Sequence, residues 1–151
     1  MTSSRWPVVV DALVAALRAT PGLAGVDILD GPPTGEPSGR DVIVIGHALD
    51  DTDDTAGSTA WTDHSTGGVI EERCEIRCAV QAVSGSTAMT TARARAFAIL
   101  DVAHAALRAD WTAGVDSVVS VDLATGTVRQ AQSDLGSGAR VEFTVTVHAL
   151  I

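Results

Sequence analysis

The sequence predicts an α+β domain: a mostly antiparallel β-sheet with two main helices packed on it. Three observations carry this. Two segments repeat apolar residues every three or four positions, as helices with a buried face do, and Val69–Ser84 alternates charged and apolar residues with period two, as a half-buried strand does. The chain after the second helical segment is a run of short alternating segments rich in β-branched residues. With 151 residues, 46% of them hydrophobic, the chain has the size of a single domain, residues 1–151, with its own core.

The first helix starts at a cap formed by Ser3 and Ser4, with Pro7 in the first turn, where a missing N–H costs nothing. Trp6, Val9, Val10, Leu13, Ala16 and Leu17 form its stripe, and Thr20, Pro21 and Gly22 end it. Residues 26–29 read as a short strand closed by the loop DGPPTGEPSG. DVIVIGHA, residues 41–48, has the β-branched content of a strand buried on both faces. Residues 49–68 have no apolar period and read as one long polar loop within a hairpin, mobile or ordered only on assembly.

In the strand that follows, one face carries Glu71, Arg73, Glu75, Arg77 and Gln81. The other carries Ile70, Cys74, Ile76, Cys78, Val80 and Ala82, with Glu72 the one misfit. Cys74 and Cys78 lie about 13 Å apart on such a strand, whereas a disulfide needs α-carbons within about 7 Å. With no other cysteine in the chain to complete a metal clip, they are expected to be buried thiols acting as small apolar side chains.

The second helix, residues 88–109, has Met89, Ala92, Ala96, Leu100, Ala103 and Leu107 as its core stripe. Ala94, Ala98, Val102 and Ala105 lie opposite. Either alanine simply serves there as a good helix former on a surface, or a second subunit covers this side. Residues 115–123 and 127–131 read as two strands of a hairpin turning at Ala124, Thr125 and Gly126. A loop over 133–138 leads to the closing strand VEFTVTVHALI.

Charge narrows the function classes. There are 19 acidic and 10 basic residues, net charge is −9, and every basic residue is arginine. Such a chain repels phosphate backbones, and no concentrated basic stripe offsets this, so sequence-specific DNA binding is not expected. The first helix carries Asp11 and Arg18 and stops at Pro21, unlike a signal peptide or a span of about 20 apolar residues. The expected compartment is the cytosol.

The densest ligand-like cluster is HALDDTDD, residues 47–54, followed by Asp63 and His64. Counted from Asp51 as a calcium loop, position six is Ala56 rather than glycine and position twelve is Thr62 rather than glutamate, which favours a solvated acidic loop. His104 and His148 fall in structural segments, and GSGAR precedes a strand, not a helix. The sequence offers no nucleophile elbow, phosphate loop or metal-binding helix motif. The expectation is therefore a non-enzyme with no catalytic residue, cofactor or metal.

The order of pieces resembles tail terminator proteins of long-tailed (siphovirus-type) bacteriophages. The segments that carry the resemblance are a strand leading into DGPP, DVIVIG, a long polar insertion, EERCEIRCAVQAVSG, TARARAFAILDVAHAALRA and RVEFTVTVHALI. The lysine-free, alanine- and arginine-rich composition resembles an actinobacterial phage or prophage. What the resemblance implies is a virion protein at the head-proximal end of the tail, assembled in the host cytoplasm. Its ring, a homo-hexamer in that family, sits on the last ring of tail-tube protein, stops tube growth and offers its other face to a head-completion or connector protein. DNA would pass through the ring without specific binding.

On that reading the interface residues are expected in the polar loop, at Asp50, Asp51, Asp53, Asp54 and Trp61. The strand charges Glu71, Arg73, Glu75 and Arg77 and the helix positions Ala94, Ala98 and Val102 complete the set, although the strand charges equally suit a solvated sheet face. Two other readings stay open. One is a different neck, head-completion or minor tail protein; the other is a small metal-dependent enzyme or ligand-binding domain using His47, Asp50, Asp51, Asp53, Asp54 and His64.

Overall fold

The computed structural model describes residues 4–34, 41–49, 52–64, 67–110, 112, 115, 118–133 and 136–151. Its elements run α1 (Trp6–Arg18), a 3-10 turn (Pro21–Leu23), β1 (Asp27–Asp30), β2 (Val42–Ile45), β3 (Gly57–His64), β4 (Val69–Ser84), α2 (Met89–Ala109), β5 (Val118–Ser133) and β6 (Gly136–Leu150). The strands form one sheet in the order β1-β2-β4-β6-β5, with β3 beside β4 in line with β2. β1 and β2 are parallel; every other pair is antiparallel.

Both helices cover one face, the one that carries the main apolar cluster. Val9, Leu13 and Leu17 of α1 and Ala92, Ala96, Leu100, Ala103 and Leu107 of α2 form one buried cluster with Cys74, Ile76, Cys78 and Val80 of β4 and Val141, Phe143, Val145 and Val147 of β6. Each fully buried Val, Ile, Leu or Phe contributes about 1.5–3 kcal/mol relative to exposure. Alanine along the α2 stripe lets that helix lie close to the sheet. The same closeness brings Gly22 under Val102, where an added Cβ would stand 2.9 Å from the valine Cγ1.

The central strands need cover on both faces, and β2 shows it: Ile43, Val44 and Ile45 are all buried. Val44 and its cross-strand partner Ala79 point away from the helices and lie outside the main cluster. They are covered by the chain after β2, tied down by Gly46 N–H donating to the Arg77 carbonyl at 2.8 Å and by the Arg140 guanidinium donating to the Leu49 carbonyl.

Four expectations are corrected here. The polar segment 49–68 is not one loop, since residues 57–64 form β3 with an unbroken antiparallel ladder to β4. It lacks an apolar period because it is an edge strand, exposed from Ser58 to His64 and held by backbone pairing rather than by burial. The expected hairpin at residues 124–126 is absent, because β5 continues through it with a register shift between Thr125 and Val128. A glycine that signals a turn also suits a bulge. The expected loop over 133–138 is mostly strand, since β5 runs to Ser133 and β6 starts at Gly136, paired with it; residues 134 and 135 lie outside the described residues. Finally, Ser4 does not end up as a simple cap: it accepts the Trp6 N–H at 3.1 Å but gives its own proton to Glu72. Ser3 lies outside the described residues. Among the described residues no helix is long and apolar enough to cross a membrane.

Candidate functional site

Glu72 organises one end of the molecule. It projects from β4 onto the helix-covered face and is 0% exposed. Its Oε1 accepts hydrogen bonds from Ser4 Oγ, Thr59 Oγ1 at 2.9 Å and Trp61 Nε1 at 3.0 Å, and its Oε2 accepts the Arg5 N–H at 2.6 Å. Burial pushes this carboxyl up, but the four donors outweigh burial and hold it below its ordinary value. The start of α1, the edge strand β3 and the central strand β4 thus meet at one charge. The sequence marked the position only as a misfit on an apolar face, and a lone acid there is the signal for such a cluster.

Trp61 is the conspicuous consequence. Its indole nitrogen is tied to Glu72 while the residue stays 61% exposed, on the helix side of the β3 edge. A large apolar ring held in one orientation at low entropic cost is the usual form of a binding anchor. At the opposite edge of the sheet, a cleft of about 240 Å³ opens between α2 and β5, lined by His104, Leu107, Arg108, Val121, Asp122 and Leu123. It is smaller than ordinary ligand pockets of about 300–1,000 Å³ and has the scale of a side-chain socket.

The face away from the helices carries the strand charges, and these find partners within the chain. Arg73 pairs with Glu75 at 2.7 Å, both half-exposed, and Arg77 with Asp53 at 2.8 Å. Glu71 accepts from His64 and His148, each at 3.2 Å, and the His64 bond, then the His148 bond, hold its carboxyl below the usual range. Hydrogen bonds from Thr55 and then from Arg77 hold Asp53 down at about 2, so this loop acid is a fastener for residues 53–56.

Asp54 is exposed and lies 3.4 Å from His47 Nε2, while His47 Nδ1 accepts the Leu49 N–H at 2.9 Å. That bond steadies Leu49, whose φ of 58° is costly for a leucine. Asp50 and Asp51 lie outside the described residues. His47 and His64 do not converge, since His64 serves Glu71, and among the described residues no three His, Cys, Asp or Glu side chains are grouped to hold a metal.

On α2, Ala94 and Ala98 are exposed and flank Phe97, itself 36% exposed, whereas Val102 is half-buried over Gly22 and belongs to the packing between helices. The expectation of an outward face at Val102 is corrected accordingly. Cys74 and Cys78 are both buried and unpaired; burial pushes the Cys74 thiol up and the Cys78 thiol to about 12, which leaves neither as a nucleophile.

No protein-family model matches this sequence, and no curated protein matches it either. Among solved structures, the chain is similar in fold to a chain of a structure described as the virion of a native gene transfer agent particle. The TM-score is 0.57 at 14% identity, over 99% of this chain and 100% of the other. At that identity the likeness is one of fold, and it spans both chains from end to end.

Proposed function

We propose that this protein is a structural subunit of a phage-like particle, and within it the tail terminator, a ring that caps the tail tube and joins it to the head. The observation that carries the reading is the end-to-end fold likeness to a chain of a gene transfer agent virion. The surface supports it: the groups with the most evident binding character are an oriented exposed tryptophan and an apolar strip on a helix, features of an assembling protein rather than of a substrate pocket. The net charge of −9 per copy suits a ring through which DNA passes without adhering. Tail-tube protein on one side and a head-completion or connector protein on the other are its partners in this reading.

The test is the mass of the purified protein by light scattering, alone and with tail-tube subunits, together with tube lengths by electron microscopy. A closed ring, expected to be a hexamer, or a monomer that caps tubes and fixes their length, is the expected outcome. A protein that stays monomeric and leaves tube growth unchanged overturns the reading. A ring that ignores tube ends but binds connector protein moves it to another neck component.

A further inference from the structure

The sheet has two unpaired edges at the same height. β3 pairs only with β4 among the described residues, and β5 only with β6. Following the ladders across, Ala60 pairs with Arg73, Arg73 with His148 and His148 with Ser120, so the start of β5 stands level with β3 on the far side of the sheet. The three antiparallel steps make β3 and β5 run in opposite directions. If one copy is placed beside another with the helices on the same side, β5 of the first therefore meets β3 of the second as an antiparallel pair, the more stable of the two strand pairings. The β3 edge is unguarded, since Ser58 to Thr62 contains no proline or charge, and β5 offers unbroken register from Ser120 to Thr125 between two register shifts, with Asp122 its one charge there.

Side chains fit the same arrangement. Trp61 projects from the β3 edge on the helix side, and the cleft between α2 and β5 opens on the helix side of the other edge. Asp122, which points to the opposite face of β5, also lines the cleft, so the cleft reaches round to the free edge. Asp63, beside Trp61, and Arg108, in the cleft, have opposite charge. β1 extends one strand beyond β3 and stands level with β5 from Thr125 on, where β5 stays paired to β6 on both sides of its register shift, so the added pairing is confined to the part of β5 level with β3, up to Leu123.

We infer that the protein docks head to tail on a second copy of itself, with β3 of one copy added to β5 of the next and Trp61 of the first seated in the α2–β5 cleft of the second. Such a contact uses two different patches per copy and so produces rings or open chains rather than closed pairs. The inference rests on the ring reading above and specifies its interface.

The experiment uses the full chain and follows association by light scattering across a concentration series, with circular dichroism as the check on folding. Trp61→Ala is expected to weaken association about thirtyfold, as loss of a central aromatic anchor does. Arg108→Glu, an exposed change on the cleft side, is expected to weaken it in the same direction and keeps the test sharp should Trp61→Ala disturb β3. The double variant Ala60→Cys/Ser120→Cys, treated with a short bismaleimide, is expected to give a ladder of linked copies, and each single variant none; the two native thiols are buried and stay silent. Association of the wild type with no effect of either substitution and no ladder overturns this interface and leaves the ring reading standing. A wild type that never associates, alone or on tubes, overturns both.

Discussion

At the scale of a single residue, Glu72 is a buried carboxylate whose cost of burial is offset by four hydrogen-bond donors drawn from two separate stretches of chain, the start of α1 and β3. Replacing it by alanine strands those donors around a small hole, and the expected loss is about 2–3 kcal/mol of stability. Its pH dependence has a definite sign. The folded carboxyl lies below its ordinary value of 4.5, so the native state binds fewer protons than the unfolded chain as pH falls through that region. The stabilisation is complete above the unfolded value and is lost on acidification through the folded one. Urea midpoints of the wild type and Glu72→Gln at pH 7 and at successive steps below 4.5 check this: the gap should be widest at pH 7 and close in acid. A gap that is constant with pH would show that Glu72 is not the titrating group. Sequence alone revealed only that an acid stood on an apolar face, because its partners Ser4 and Thr59 are 68 and 13 positions away and carry no pattern of their own.

At the scale of elements, those with a buried face were legible and the edges were not. β4 falls on Val69–Ser84 as its alternation predicts, and α2 on Met89–Ala109 within one residue, since each presents a full apolar period to the core. β3 went unseen because an edge strand exposed on both faces leaves no hydrophobic period to read. One residue makes its pairing possible. Gly57 has φ 151°, and a Cβ there would stand 1.9 Å from the Glu75 carbonyl oxygen and 2.6 Å from the Trp6 ring. Gly57→Ala is expected to cost about 1–3 kcal/mol and to loosen β3 before the rest of the sheet. Amide hydrogen exchange should show faster exchange across residues 58–64 with β4–β6 amides still protected; uniform protection in the variant would mean that the strand does not depend on this close approach.

For the whole molecule, the open edges and the exposed Trp61 and Phe97 mean that the isolated chain leaves apolar and backbone groups in water that association would cover. Anything that binds the folded chain raises its apparent stability, and self-association does so in proportion to the logarithm of concentration. The thermal midpoint is therefore expected to rise with protein concentration, and the rise should shrink in Trp61→Ala. A midpoint independent of concentration over two or three decades would indicate a monomer that unfolds alone.

The fold class, the core faces of α1, α2 and β4 and the inert character of the two cysteines are readable from the order of residues, because each depends on the period of neighbours in the chain. That Glu72 is buried and satisfied, that Asp53 fastens Arg77 and that Val102 packs inward over Gly22 emerges only from the folded arrangement. It alone also brought Trp61 to one edge of the sheet and a cleft of its own scale to the other. Those facts depend on strand order and on contacts between residues far apart in sequence, for which local periodicity carries no information.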